Sequence, residues 1–280
     1  MTVQELELTA NTVRQDIIKM LVEAGSGHSA GPLGSADIFT TLYFAEMDVD
    51  PKDPRKEDRD RFVLSCGHYC PVWYATMASR GFFPREELMT LRKFGTRLQG
   101  HPHNMALPGV ENSSGPLGQG LSQAIGMAMT ARMDKKKWRT YCMTSDGEHN
   151  EGQIWEAIMF AGKERLDNLV SIIDRNNIQI DGDTEDVMPL EPLGDKYKAF
   201  GWHVIDINGN DIGALMEAYK EADSVRQMPS VIIAHTTPGM GVEFMEDDFK
   251  WHGMPPNKEQ AKEALHELRT LRGRIRAEHE

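Results

Sequence analysis

Two polar segments carry side chains that could bind a divalent cation. Residues 145–148 and 174–178 each come directly after a short apolar run typical of a buried strand. Mg²⁺ prefers six oxygen ligands in near-octahedral geometry, usually one or two protein carboxylates with phosphate and water oxygens. Asp146 offers a carboxylate, Asn176 an amide oxygen and Ile178 a main-chain carbonyl. Together they predict a magnesium site beside a phosphate.

The spacing of these residues strengthens the prediction. An Asp-Gly pair after a strand is by itself ordinarily a turn, but Asn176 follows Asp146 by 30 residues with a helix predicted between them over 151–165. The unit is strand–helix–strand, and the two strands of such a unit end at the same edge of a parallel sheet. Gly147 has no side chain that would keep its main-chain N–H away from a phosphate.

Four of the ten histidines, His28, His68, His101 and His252, lie in loops expected at this same edge. Any one of them alone would more simply be a surface or core residue. As a group they predict proton-transfer chemistry, because imidazole has an unperturbed pKa of about 6.5 and exchanges protons near neutrality. The remaining histidines that we expect to be structural are His149, His203, His235, His266 and His279.

Strands and helices are predicted to alternate along the chain. Apolar runs rich in β-branched residues predict buried strands at 61–65, 140–144, 169–173, 203–207 and 231–234. Helical stretches lie between them, around Leu42, Tyr74, Ala124, Trp155 and Ala214. This pattern is typical of an α/β fold with a doubly wound, mainly parallel sheet and helices on both faces, which binds ligands at the carboxyl ends of its strands.

Three helices have recognisable limits. Apolar residues from Val13 to Ala24 share one helical face, and Gly25 stands where a C-cap is expected. Residues 121–133 are apolar almost all round and follow the glycine-rich segment 115–120, which predicts a buried helix whose N-terminus could bind an anion. A charged amphipathic helix over about 258–278 is expected to close a single domain spanning residues 1–280.

Composition excludes several classes of function. The net charge of −12 and the absence of a basic stripe argue against nucleic-acid binding. No apolar run approaches the roughly 20 residues of a membrane helix, and the N-terminus is acidic and polar, so a cytoplasmic protein is expected. Cys66, Cys70 and Cys142 are too few for a disulfide framework, and no second ligand pair accompanies Cys66, His68 and Cys70 in a zinc spacing.

Several segments, in the same order along the chain, resemble transketolase. The pairing of residues 145–147 with Asn176 is similar to the thiamine diphosphate motif, a Gly-Asp-Gly followed about thirty residues later by an Asn, with serine replacing the first glycine. The other similar segments are 27–34 (GHSAGPLG), 60–68 (DRFVLSCGH, with Cys66 where the family has Asn), 100–102 (GHP) with 115–120 (GPLGQG), and 251–253 (WHG). The chain therefore resembles the N-terminal half of a transketolase.

The resemblance implies a cofactor, thiamine diphosphate, held through Mg²⁺, with Ca²⁺ or Mn²⁺ able to substitute. Asp146, Asn176 and the carbonyl of Ile178 would hold the metal. The groups implied to meet the cofactor are His68, His252, Asn176, the amide of Gly147 and main-chain groups near Gly115 and Leu117.

The resemblance also implies catalytic roles. His28 and His101 would lie where substrate hydroxyls meet the reactive carbon, and His28 and His252 would transfer protons. Glu151, and with less support Glu156, would link paired active sites by lying against a neighbouring subunit. Arg175 stands where the family often has Asp, and His103 where it often has Glu; these departures bear on substrate contacts and not on the metal site.

A partner chain is implied as well. In transketolases the glutamate that protonates the aminopyrimidine ring, the aromatic pyrimidine pocket and the basic sugar-phosphate site belong to a second domain, which residues 1–280 do not include. We therefore expect a separate C-terminal transketolase subunit, with both chains in an α2β2 assembly, and transfer of a two-carbon ketol unit between sugars or sugar phosphates.

Other interpretations remain open at this point. A subunit of a deoxyxylulose-phosphate synthase or of a 2-oxo acid dehydrogenase would use the same cofactor, although the histidine set favours transketolase. A non-catalytic cofactor-binding or interaction protein is a further alternative. A nicotinamide-binding Rossmann protein is disfavoured, because no Gly-x-Gly-x-x-Gly opens a helix after the first strand.

Overall fold

The computed structural model describes residues 1–279 and is organised around a five-stranded parallel sheet with the order β1-β2-β3-β7-β6. The strands of this sheet are β1 (Arg61–Leu64), β2 (Thr140–Ser145), β3 (Leu169–Arg175), β6 (His203–Asn208) and β7 (Ser230–His235). Every strand predicted from the sequence is confirmed to within two residues at each end. A small antiparallel pair, β4 (Ile178–Gln179) with β5 (Gly182–Asp183), was not predicted.

Helices cover both faces of the sheet, which confirms the doubly wound α/β class. They are α1 (Val3–Ala24), α2 (Ala30–Gly34), α3 (Ala36–Thr41), α4 (Cys70–Arg80), α5 (Gly120–Met133), α6 (Gly152–Glu164), α7 (Thr184–Val187), α8 (Leu193–Ala199), α9 (Ile212–Ser224) and α10 (Lys258–Glu278). A π-helical turn at Leu42–Glu46 and short 3₁₀ turns at Gly67–Tyr69, Arg85–Thr90, Gly147–Asn150 and Phe249–Trp251 connect them.

Alternating side chains of the strands divide the interior into two cores. In β3, Val170 and Ile172 pack into the core beneath α1, α3, α4 and α10, while Leu169 and Ile173 pack into the core beneath α5, α6 and α8. Successive residues of a strand point to opposite faces, so a strand covered on both sides is apolar along its whole length. That is why β3 is buried at every position.

The first and last helices pack together. Thr2 and Glu5 form a capping box at the start of α1, and Gly25 ends it in the left-handed conformation, with a φ of 63°. The Asn11 side chain of α1 donates to the main-chain oxygen of Leu268 in α10 at 3.0 Å. Within residues 1–279 no helix combines the length and the apolar character needed to cross a membrane.

The predicted helix over 121–133 is present as α5, but the prediction that this helix is buried is wrong. α5 buries Leu121, Ala124 and Ala128 but exposes Gly126 and Met133 on the opposite side. The exposed side of α5 also carries Ser122, Gln123, Thr130 and Arg132, which are polar residue types that are mostly exposed in proteins. α5 is therefore a surface helix with one face in the core.

Candidate functional site

Loops from distant parts of the chain meet at the carboxyl edge of the sheet. The Ser29 hydroxyl, in the loop between α1 and α2, donates to the main-chain oxygen of Met254 at 2.6 Å. The main-chain N–H of Ser114 donates to the oxygen of Pro102 at 3.2 Å. A side chain at Gly67 would collide with Ser114. These contacts assemble the predicted histidine loops and the glycine-rich segment into one site.

Three imidazoles form a cluster at this edge. The ring centroids of His28 and His68 are 4.9 Å apart, those of His68 and His252 are 5.3 Å apart, and those of His28 and His252 are 5.6 Å apart. His68 is buried in the 3₁₀ turn after β1, while His28 and His252 are half-buried. The structure thus brings together three of the four predicted histidines.

The cluster is neutral near pH 7. Burial, followed by the nearby His252, Arg92 and His101, lowers the pKa of His28 to about 4. Burial and the neighbouring histidines lower the pKa of His68 well below 6.5, and burial lowers that of His252. Neutral imidazole has one nitrogen that donates and one that accepts a proton, so each ring can act in either role.

His101 lies at the rim of the cluster. Its side chain is exposed, and its ring carbon Cδ2 would be 3.0 Å from a Cβ placed on Gly67. Burial and the charge of Arg92 lower the pKa of His101. It is therefore adjacent to the other three histidines but faces solvent, where a substrate would enter.

The predicted metal residues converge from neighbouring strand ends. Ser145 of β2 pairs with Asp174 of β3 in the sheet register, so Asp146 and Asn176 follow strands that end side by side. The Asp146 carboxylate accepts the main-chain N–H of Asn177 at 2.7 Å. Asp146, Asn176 and Ile178 are all buried. The sequence prediction that these residues lie together agrees with these contacts.

The donor chemistry of this group fits a hard divalent cation. Asp146 provides a carboxylate, and the Asn176 side-chain oxygen accepts the N–H of Ile178 at 3.0 Å and retains a second lone pair. The Asn176 amide nitrogen donates to Tyr69 and Asp174, each at 2.7 Å, which turns the amide oxygen away from those groups. Oxygen ligands of this kind suit Mg²⁺ and Ca²⁺.

Two features of the candidate metal residues were not predicted, and the first shows that the expectation that Arg175 bears on substrate contacts and not on the metal site is wrong. Arg175 donates to Asp146 Oδ2 at 3.0 Å in an almost wholly buried ion pair. The N–H of Gly147 donates to Asp146 Oδ1 at 2.6 Å and so points at the carboxylate. A phosphate at this amide would compete with Asp146. Burial raises the pKa of Asp146, and Arg175 opposes that rise.

Sequence reasoning also missed a buried glutamate. Glu148 accepts hydrogen bonds from the Ser65 hydroxyl, the N–H of Gly118 at 2.7 Å and the N–H of Ser145 at 3.2 Å. Ser65 in turn accepts the N–H of Gly120 at 2.9 Å. One carboxylate therefore joins the end of β1, the glycine-rich segment 115–120 and the segment 145–148 at the end of β2, called the metal loop below. The only signal in the sequence was the position of this glutamate in the polar segment 145–148, directly after a predicted buried strand.

Asp174 and Tyr69 form a second unpredicted network beneath Asn176. The Tyr69 hydroxyl donates to Asp174 at 2.5 Å, and Thr236 donates to its other oxygen. Burial raises the pKa of Asp174 to about 7 despite these hydrogen bonds. A side chain at Gly31 would collide with the Tyr69 ring, which places α2 directly against this network.

The remaining predicted residues lie around the rim. A Cβ at Gly115 would have no described atom within 4 Å, and Leu117 packs partly against the core. Glu151 is the exposed N-cap of α6, makes no side-chain capping bond, and lies against Gly118. Glu156 is exposed one turn further along α6. Both glutamates face outward from the described chain.

Unpaired polar atoms mark the space that a ligand would fill. His28 Nδ1, His68 Nε2 and Ser114 Oγ are buried, and none has a hydrogen-bond partner among residues 1–279. Buried polar atoms are normally paired, so these three fit donation to, or acceptance from, a bound molecule. These atoms and the candidate metal residues lie at the carboxyl ends of the strands of a doubly wound sheet, the edge at which α/β domains of this class bind their ligands.

Comparison with known proteins identifies the family. Residues 6–270 match the family model described as "Transketolase, thiamine diphosphate binding domain". The chain belongs to the transketolase family, as its thiamine diphosphate-binding N-terminal part. The recognition of a transketolase subunit from its ordered motifs is confirmed.

Three relatives, all named as transketolase subunits, are matched along nearly their whole length. The chain is 43% identical over 268 residues to an apulose-4-phosphate transketolase subunit of Phocaeicola vulgatus, covering 96% of this chain and 95% of that protein. It is 42% identical over 264 residues to a 6-deoxy-6-sulfo-D-fructose transketolase subunit of a Clostridium species, covering 94% and 96%. The crystal structure of Campylobacter jejuni transketolase superposes with a TM-score of 0.90 at 33% identity, over 98% of this chain and 46% of that one.

Proposed function

We propose that this chain binds thiamine diphosphate through Mg²⁺ and, with a separate C-terminal transketolase subunit, transfers a two-carbon ketol unit from a ketose to an aldose. The observation that carries the proposal is the contact between the Asp146 carboxylate and the N–H of Asn177. It joins the ends of two adjacent strands, where the metal and the diphosphate would be held.

Asp146, Asn176 and the carbonyl of Ile178 hold the metal in this proposal, with Ca²⁺ or Mn²⁺ as possible substitutes. His68 and His252 meet the diphosphate. Support for this role comes from the buried and unpaired Nε2 atom of His68. Main-chain groups at Gly115 and Leu117 complete the cofactor contacts, and the amide of Gly147 joins them when the diphosphate displaces it from Asp146 Oδ1.

When bound, thiamine diphosphate supplies a carbon nucleophile for ketose carbonyls. His28 and His252 then accept a proton from a substrate hydroxyl or return it, which a neutral imidazole can do near pH 7. His101, exposed at the rim, binds the hydroxyls of the entering sugar. The low pKa of His28, about 4, keeps this ring neutral near pH 7 and also makes it a weak base.

The partner completes the site in an α2β2 assembly. Three relatives matched from end to end are all named as subunits, which supports a separate partner chain. The exposed Glu151, at the start of α6, links paired sites by facing a neighbouring subunit. Residues 1–280 act as one cofactor-binding domain, and we infer a cytoplasmic location.

The substrates are sugars or sugar phosphates. The two matched subunits carry the names of different sugars, a phosphorylated one and a sulfonated one. Because this chain is about equally similar to both subunits, we infer that the C-terminal partner recognises the part of the substrate that distinguishes these sugars.

Alanine substitutions at Asp146 and Asn176 test the proposal. Removing a group that merely orients a metal ligand weakens metal binding by about 10–100-fold, so removing a direct ligand should weaken Mg²⁺-dependent binding of thiamine diphosphate by at least about 100-fold. Binding is measured by titration calorimetry in the complex with the co-purified partner. Asp181→Ala, an exposed aspartate in the turn between β4 and β5, is the matched control.

The activity test uses the same complex. Two-carbon transfer is assayed with several pairs of ketose and aldose phosphates. Unchanged cofactor affinity in Asp146→Ala would overturn the metal assignment, and pyruvate consumption in place of ketol transfer would overturn the reaction.

A further inference from the structure

A guanidinium occupies the position beside the candidate metal carboxylate. Arg175 Nη1 donates to Asp146 Oδ2 at 3.0 Å, and both side chains are at most 2% exposed. Its other nitrogens contact two glutamates at the surface, with Nη2 at 2.5 Å from Glu185 and at 3.1 Å from Glu191. Arg175 therefore joins the metal loop to the segment after β5.

The hydrogen bonds leave little of Asp146 free. Its Oδ1 accepts the N–H of Gly147, and its Oδ2 accepts both Arg175 and the N–H of Asn177. A carboxylate offers about four lone-pair sites, so one remains for a metal ion. The charge of the carboxylate is also already compensated, because arginine stays protonated in proteins.

We propose that Arg175 is a built-in cation that neutralises Asp146 while no metal is bound, so that a divalent cation binds tightly only together with the diphosphate. This proposal rests on the proposed role of Asp146 as a metal ligand. It makes Arg175 a residue that couples the affinity for the metal to the presence of the cofactor.

Electrostatics gives the reason. A dication that reaches Asp146 alone lies close to the Arg175 charge in a buried region, where repulsion is stronger than in water. Glu185 and Glu191 hold the guanidinium in place, so it cannot swing away at little cost. A diphosphate adds negative charge beside the metal and offsets the repulsion. Metal and cofactor binding are therefore positively coupled in the wild type.

Binding of Mn²⁺ to the full chain, followed by electron paramagnetic resonance without partner or cofactor, tests this. Arg175→Met removes the charge and keeps most of the volume. We expect it to bind Mn²⁺ at least about tenfold more tightly than the wild type, equivalent to about 1.4 kcal/mol. Adding thiamine diphosphate should strengthen Mn²⁺ binding in the wild type and much less in Arg175→Met. Arg175→Lys, which keeps the charge, should behave like the wild type.

Arg175→Gln, which keeps hydrogen-bond donors without charge, serves if Arg175→Met does not fold, and it should shift Mn²⁺ affinity in the same direction. Equal or weaker Mn²⁺ binding in the uncharged variants overturns the proposal, as does undetectable binding in all variants. Tight binding by Arg175→Lys overturns it too, because charge would then not be the cause.

The failure of the proposed function would look different. The Asp146→Ala variant, with Arg175 unchanged and thiamine diphosphate present, should lose Mn²⁺ binding. This loss is expected whether or not Arg175 controls the Mn²⁺ affinity. If that variant keeps Mn²⁺, Asp146 is not the ligand. If it loses Mn²⁺ while Arg175→Met matches the wild type, only the role of Arg175 is wrong.

Discussion

Replacing Glu148 with glutamine should loosen three segments of the site at once. Glu148 Oε1 accepts the Ser65 hydroxyl and the N–H of Gly118, and Oε2 accepts the N–H of Ser145. A glutamine can keep its carbonyl oxygen at the first position. Its side-chain NH₂ group then faces the N–H of Ser145. Both groups are hydrogen-bond donors, so the N–H of Ser145 loses its acceptor.

The magnitude follows from that mismatch. A buried N–H left without an acceptor costs about 1–3 kcal/mol. Burial raises the pKa of Glu148, which means that burying its charged form costs free energy. The neutral glutamine avoids this cost, and that gain offsets part of the loss. We therefore expect Glu148→Gln to lower the free energy of unfolding by about 2 kcal/mol, or the Tm by about 4–8 °C for a domain of this size.

Cofactor binding gives an independent measurement. Since Glu148 fixes the glycine-rich segment relative to the metal loop, Glu148→Gln should weaken thiamine diphosphate binding by about tenfold, the lower end for groups that orient metal ligands. Thermal unfolding and calorimetry in the complex measure the two effects. Glu217→Gln, at an exposed position of α9, is the control.

A result that refutes the reasoning is easily stated. If Glu148→Gln keeps both the Tm and the cofactor affinity of the wild type, the carboxylate does not organise these loops. Glu148→Ala should be worse than Glu148→Gln, because it leaves every donor unpaired and adds a cavity. The reverse order would also contradict this account.

Two further predictions concern stability. Gly120→Ala would place its Cβ 2.6 Å from Ser65 Cα and should destabilise the chain. Gly126 lies in the same helix with no described atom within 4 Å of its Cβ position, so Gly126→Ala should stabilise the chain by about 0.5–1 kcal/mol. Urea unfolding of both variants distinguishes the steric effect from helix propensity. Burial lowers the pKa of His149 to about 4, against about 6.5 in an unfolded chain. Between these two pKa values the unfolded chain binds a proton at His149 and the folded chain does not. The free energy of unfolding therefore falls as the pH drops from 6.5 towards 4, by about 2 kcal/mol between pH 7 and pH 5. His149→Gln should remove that part of the pH dependence in urea titrations at the two pH values, and an unchanged slope would show that other groups cause it.

Part of the site could be predicted from the sequence because its position depends on local rules. Runs of β-branched residues define strands β1, β2, β3, β6 and β7, and strands joined by helices lie parallel. Asp146 and Asn176 directly follow two of those runs, so their common edge follows from the chain order. The family resemblance rested on these two residues and on further motifs at 27–34, 60–68, 100–102, 115–120 and 251–253, and the comparison confirmed it.

The helix over 121–133 shows where pattern analysis fails. Its composition is apolar nearly all round, yet α5 exposes Gly126 and Met133. Which side of a helix meets a core depends on what packs against it, and a single sequence does not record that.

Only the tertiary structure decided how the site is charged. His28 and His252 belong to loops whose contacts span 222 positions along the chain, as between Ser29 and Trp251. The pairing of Arg175 with Asp146, and the burial of Glu148 among three donors, likewise depend on contacts between separate segments. The residue type determines which groups can carry a charge. Burial and neighbours that are distant in the sequence determine whether such a group is paired, has a shifted pKa or is free to bind a ligand. The reason is that the energy of a charge depends on the surroundings that folding creates.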